Sequence, residues 1–208
     1  MKLVKEKHLG ITSINRKIGC IGVLSKQIWI ILLAIILLFF IGGVIRPGYS
    51  SWQNLNSLLA IGSVLALASV GQTLVILSGG GGIDLSVGQM MSLTAVLSYQ
   101  ILNGADSNLP VCIGVLIVLG ALFGFLNGIG IQKLHIPPII MTLGMGIVLQ
   151  GTILISTLGT SPRGKASPLL FKLAIGNIGG LRYLAILGIG VVLLMEIILR
   201  HTTYGRQL

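Results

Sequence analysis

The stretch IWIILLAIILLFFIGGVI, residues 28–45, contains no charged side chain. A helix crosses the hydrocarbon core of a bilayer with about 20 predominantly apolar residues. Further runs of this kind follow at 58–78, 85–102, 111–131, 139–158 and 183–199. They are continuously apolar, whereas the strands of a transmembrane barrel alternate, so they predict helices. Composition agrees. Hydrophobic residues make up 54% of the chain and charged residues 9%, with a mean hydropathy of +1.01. A soluble domain carries roughly a quarter charged residues, and the few present here cannot cover a surface facing water. The expected fold is an all-α, polytopic transmembrane helical bundle of about six spans, embedded in a lipid bilayer.

The formal net charge of +10 is concentrated at the N-terminus, where Lys2, Lys5, Lys7, Arg16, Lys17 and Lys26 precede the first apolar run. Residues 1–27 read as a basic cytoplasmic tail and 28–208 as transmembrane. A nucleic-acid surface would pair such charge with aromatics or a fold beside it. The tail offers neither, so no nucleic-acid partner is expected. No A-x-A cleavage site follows the first run, which therefore reads as an uncleaved span rather than a signal peptide. With six crossings and the N-terminus inside, the tail, Lys133, Arg200 and Arg206 are cytoplasmic. Arg46, Arg163, Lys165, Lys172 and Arg182 are then outside. The bias favours this orientation. The basic loop 159–182 runs against it, and its apolar patch 169–175 suits a position along the membrane interface.

Cys20 and Cys112 fall on opposite sides in this topology and cannot pair. Cys112 suits a small apolar filler. Cysteine spacing gives no metal site, and no nucleophile–base pair or cofactor motif is present. Neither a cofactor nor enzymatic activity is expected of this chain.

The segment LSGGGGIDLSVGQ, residues 77–89, interrupts the apolar pattern. A phosphate-binding loop would need G-K-[ST] after the glycines; Ile83, Asp84 and Leu85 stand there instead, and a carboxylate repels phosphate. Gly79, Gly80, Gly81 and Gly82 predict a helix end, followed by a new helix near Asp84 or Ser86. Ser86 and Gln89 fit an S-x-x-Q capping box, and Asp84 can itself cap free N–H groups. Asp84 either caps a helix near the membrane face or lies on a functional hinge, since intramembrane carboxylates are functional candidates. Gly88 belongs to the same hinge.

In LGALFGFLNG, Gly120, Gly124 and Gly128 form overlapping G-x-x-x-G motifs, which favour close helix packing within the bundle over a subunit interface. Asn127 beside them requires a partner inside the bundle. In HIPPIIMTLGMGIVLQG, Thr142 and Gln150 are polar residues on an apolar helix, open to interhelical hydrogen bonding or to lining a pathway. His135 reads as a solvated turn residue. Glu196 and Arg200, at i and i+4 in the favourable order, read as a local ion pair.

GGIDLSVG at 81–88, NG at 127–128, IPPIIMTLGMGIVLQG at 136–151 and HTTYGR at 201–206 occur in this order. Together they resemble the permease subunits of bacterial ABC importers for monosaccharides, the ribose, xylose and galactose type, from about Trp52 to the last residue. The resemblance implies a multi-span helical permease of the bacterial inner membrane that pairs with a second permease subunit. An extracytoplasmic sugar-binding protein would deliver the ligand, and a separate cytoplasmic ATPase would drive alternating access. A neutral polyol needs hydrogen-bonding groups and small-residue clearance along its path. Compared with the family, the chain has an extra glycine before the usual pair. It also ends at TTYGRQL, where members continue from GR through a YAIGGN-like coupling segment and further spans. It is thus expected to be the N-terminal part of a larger permease, with Gly205 and Arg206 opening the ATPase contact.

Overall fold

A computed structural model describes residues 26–78 and 82–208. Lys2, Lys5, Lys7, Arg16, Lys17 and Cys20 of the tail, and Gly79, Gly80 and Gly81 of the hinge, lie outside the described residues. In chain order the elements are α1 (Lys26–Ile45), α2 (Trp52–Leu77), α3 (Val87–Leu102), a 3-10 turn (Asp106–Asn108), α4 (Leu109–Gln132), α5 (Pro138–Thr157), α6 (Pro168–Ile175), strands β1 (Asn177–Ile178) and β2 (Leu181–Arg182), α7 (Tyr183–His201) and α8 (Thr203–Gln207). The protein is an all-α, polytopic helical bundle apart from this small hairpin.

Five helices are long and apolar enough to cross a membrane: α1, α2, α4 with its preceding turn, α5 and α7. The sixth apolar run becomes α3, which has 16 residues. At 1.5 Å per residue it is about 24 Å long, short of a hydrocarbon core of about 30 Å. Its start is fixed at Val87 because the Asp84 carboxylate takes the amide of Ser86. The expected span at 85–102 is thus a shorter helix led by non-helical backbone.

The described chain divides at Leu55/Asn56, in the first turn of α2, into two compact units. In the first, α1 leads into a tight turn in which the Arg46 amide bonds to the Gly42 carbonyl (2.9 Å) and that of Tyr49 to Arg46 (3.1 Å). The Tyr49 ring lies 5.8 Å from that of Phe39. Ser51 caps α2 by accepting from the Asn54 amide (3.3 Å).

In the second unit, residue contacts set the helix directions. Asn127 of α4 meets Ser86 while Gly120 faces Met90 of α3, so α3 and α4 are antiparallel. Gln89 lies beside Gly146, and Gln100 donates to the Ser156 carbonyl (3.1 Å), so α3 and α5 run together. Ser57 pairs with Arg182, and Ser63 lies against Gly188, so α2 and α7 run together. The apolar core is small: Leu93, Met145 and Leu149, surrounded by Met90, Leu97, Phe123, Met141 and Ile153 of α3, α4 and α5. Large apolar side chains such as Ile61, Ile117, Phe125, Ile147 and Ile155 point outward, whereas Asn56, Ser63, Ser86, Asn127 and Thr142 are buried. Polar groups inside and hydrocarbon outside is the arrangement a lipid solvent selects, because a polar group facing hydrocarbon finds no hydrogen-bond partner.

The loop after α5 is ordered by specific bonds. The Gly104 amide donates to the Lys165 carbonyl (2.9 Å). Asp106 accepts from the Leu169 amide (3.0 Å). Fully buried Ser167 caps α6 through the Leu170 amide (3.3 Å). Gly179 and Gly180 both have positive φ, 58° and 86°, as the two-residue turn between β1 and β2 requires. The hairpin is tied to α2: Asn56 donates to the Gly180 carbonyl and Arg182 to Ser57 Oγ (3.0 Å).

Candidate functional site

Where α2 gives way to α3, residues 82–86 are not helical, so their backbone groups need partners from elsewhere. The Thr142 hydroxyl of α5 is shared between the Pro138 carbonyl of its own helix (2.9 Å) and the Ile83 carbonyl (3.3 Å). With its carboxamide oriented to match its surroundings, Gln72 of α2 donates to the Asp84 carbonyl (3.2 Å) and accepts from the Asp84 amide (3.0 Å). One side chain thereby replaces a neighbouring strand for one residue. The Ser86 amide donates to Asp84 Oδ1 (2.8 Å). Non-helical backbone at membrane depth requires such protein partners.

Side chains alternate along this segment. Ile83 and Leu85 are exposed, Asp84 is half-buried and Ser86 is buried. The apolar pair therefore faces outward and the polar pair inward. Ser86 Oγ donates to Asp84 Oδ1 (2.6 Å) and accepts from Asn127 Nδ2 of α4 (3.3 Å). Asn127 is only 7% exposed, and its Oδ1 has no hydrogen-bond partner among the described residues. The hinge is thus fastened to α2 by Gln72, to α4 by Ser86 and to α5 by Thr142. Gly82 closes the seat: a Cβ there would stand 2.9 Å from Cβ of Pro138.

Two cavities flank the fastening. One of about 520 Å³ is lined by Ser78, Asp84, Gly124, Asn127, Gly128 and Thr142, among others. A second of about 210 Å³ is lined by Asp84, Ser86, Met90, Thr94, Gly120 and Asn127, among others. Asp84, Gly124 and Asn127 border both, so the Asp84–Ser86–Asn127 chain stands between them.

The capping box forms differently from the sequence expectation. Ser86 makes no side-chain cap to α3, because its hydroxyl is committed to Asp84. Gln89 lies instead beside Gly146. Asp84 accepts from the amide of Ser86 at the N-cap position. Gly88 is exposed with open space around it. On α4 a Cβ at Gly120 would make ordinary contact with Met90, whereas Gly124 and Gly128 have nothing within 4 Å and border the larger cavity. Gln150 is exposed on α5 and lines neither cavity. The Glu196–Arg200 pair forms at 2.5 Å on exposed side chains. Gly205 packs on the Leu199 backbone, Thr202 accepts from its amide (3.5 Å), and Arg206 is exposed. His135 is exposed and Cys112 is buried, with no disulfide partner among the described residues. Gln72 was missed by sequence reasoning, since a glutamine within a long apolar helix carries no local signal of its partner.

Residues 54–208 match the protein family described as "Branched-chain amino acid transport system / permease component". Similar curated proteins include the "Autoinducer 2 import system permease protein LsrC" of Escherichia coli O9:H4 (strain HS), 35% identical over 176 residues, covering 85% of this chain and 50% of that protein. The protein of the same description from Yersinia pseudotuberculosis serotype O:3 (strain YPIII) is 35% identical over 183 residues, covering 85% of this chain and 49% of its own. The chain spans about half the length of these relatives. No solved structure matches.

Proposed function

Since the chain belongs to the family of branched-chain amino acid transport system permease components, we propose that it acts as a membrane-spanning permease subunit of an ATP-driven ABC importer that moves a monosaccharide of the ribose type by alternating access. The observation that carries this reading is the non-helical segment 82–86, held by side chains of three helices and bordered on both sides by cavities. Its polar groups are amides, hydroxyls and a single carboxylate, which suits a neutral hydroxylated solute. The chain supplies the passage. ATP hydrolysis belongs to a separate cytoplasmic subunit, and an extracytoplasmic binding protein and a second permease subunit complete the assembly. We place it in the bacterial inner membrane with the N-terminus, residues 133–137 and α8 cytoplasmic, following the excess of Lys and Arg on that side. Residues 1–27 form the basic tail, whose last two residues begin α1, and 28–208 belong to the transmembrane domain. Asn127 and Thr142 act at the hinge; Gln150 points to a contact outside it. Gly120, Gly124 and Gly128 give the clearance, and Gly205 and Arg206 begin the ATPase contact.

The test is reconstitution into proteoliposomes with the cognate ATPase and binding protein, measuring ATP-dependent uptake of labelled ribose. Ribose uptake is the expected result; absence of uptake of any monosaccharide would refute the reading. Asp84→Asn separates the two roles of the carboxylate: unchanged uptake excludes an essential charge and leaves a neutral cap. The relatives named for autoinducer 2 import favour one second reading, a permease of the same kind with that cargo. The family description makes leucine the third substrate to assay.

A further inference from the structure

The loop that joins α5 to α7 has a surface that the hinge does not use. Leu169, Phe171 and Ile175 of α6 and Ile178 of β1 are 48%, 59%, 53% and 60% exposed. In water this much apolar surface on so short a segment marks a binding face.

The level of that face is set by hydrogen bonds at both ends of α6. At its start, the Leu169 amide donates to Asp106, the first residue of the apolar span Asp106–Gln132. At its end, the Gly176 carbonyl accepts from the amide of Tyr183 (3.1 Å), the first residue of the span Tyr183–His201. Both ends of α6 are therefore pinned where neighbouring spans begin. The helix runs between the starts of two apolar spans.

Charge selects the occupant. Arg163, Lys165 and Lys172 are exposed around α6, and the one carboxylate of the described loops at this end, Asp106, is engaged by the Leu169 amide. Short apolar helices flanked by lysine and arginine bind anionic interfaces through both terms.

We propose that α6 and β1 form an interfacial anchor that lies on anionic phospholipid headgroups, with Phe171 and Ile175 immersed at the acyl boundary and Lys172 at the phosphates. The anchor fixes the height of the hairpin, and through Asn56 and Arg182 the height of α2. It depends on membrane insertion and not on the nature of the cargo.

The experiment places a nitroxide at Phe171→Cys, with Ile175→Cys as a second position, in the full chain with Cys20 and Cys112 replaced by alanine. Nanodiscs are prepared from phosphatidylcholine with and without phosphatidylglycerol. Collisions with oxygen are expected to exceed those with a water-soluble nickel chelate severalfold at both positions. The contrast should grow with phosphatidylglycerol, and Lys172→Gln should abolish that growth. Dominant collision with nickel in both lipids would overturn the proposal. Immersion indifferent to phosphatidylglycerol would overturn its anionic component. Shielding that appears only when an extracytoplasmic binding protein is added would assign the face to a protein instead.

Discussion

Replacing Ser86 with alanine tests whether the Asp84–Ser86–Asn127 chain holds the hinge. Two bonds are lost. One is the 2.6 Å bond from the Ser86 hydroxyl to the Asp84 carboxylate; a hydrogen bond to a charged group contributes about 1.5–3 kcal/mol. Partial exposure of Asp84 to solvent places it toward the lower figure. The other is the 3.3 Å bond from Asn127 Nδ2, an interhelical bond of the kind that averages about 0.6 kcal/mol in membrane proteins, with a maximum near 1.7. Its loss leaves the Asn127 side chain, whose Oδ1 has no partner among the described residues, buried with its Nδ2 unbonded to them as well. The backbone bond from Ser86 to Asp84 survives, so the helix start is retained. The expected total is about 2–3 kcal/mol. Unfolding in mixed detergent, followed by helical circular dichroism, measures it. Ser86→Thr, which keeps the hydroxyl, should recover most of the loss. A double-mutant cycle with Asn127→Leu should give a coupling of about 0.5–1.5 kcal/mol. A cost below about 0.5 kcal/mol for Ser86→Ala, the range of an ordinary surface substitution, would refute the reasoning.

Four further outcomes are expected in the same assay. Gly82→Ala should destabilise by about 1–3 kcal/mol by overpacking against Pro138, whereas Gly88→Ala, with open space around it, should be neutral or gain up to about 1 kcal/mol of helix propensity. Leu149→Ala removes a fully buried side chain from the small core and should cost about 2–5 kcal/mol. Gly124→Ala and Gly128→Ala meet nothing within 4 Å and should leave stability intact or raise it by up to about 1 kcal/mol each; a loss instead would show that the stripe is packed in the folded chain.

The long elements were legible because one physical quantity, continuous hydrophobicity, fixes them. Runs expected at 111–131 and 139–158 match α4 (Leu109–Gln132) and α5 (Pro138–Thr157) closely, helped by prolines near both starts. A break ahead of α3 was also legible, since glycines followed by an aspartate do not fit a continuous helix in lipid, and residues 82–86 are non-helical. The assignment of the cap to Ser86 failed because S-x-x-Q describes a local preference, and a nearby carboxylate competes for the same hydroxyl. The clamp by Gln72 depends on a contact between residues of different elements, which no periodicity encodes. The hairpin at Asn177–Arg182 had a signal, the Gly-Gly pair, but its strands have two residues each, too few for alternation to register.

The shortness of α3 has an electrical consequence. Where a helix of about 24 Å replaces one spanning about 30 Å, and water enters the cavities that Asp84 and Asn127 border, the membrane potential would fall across a thinner insulating layer than elsewhere in the bundle. The field would be steeper there, and the Asp84 carboxylate borders both cavities. One elementary charge carried across the full potential exchanges about 2.3 kcal/mol per 100 mV. A displacement of Asp84 through even part of that thinned layer would therefore make the hinge responsive to voltage.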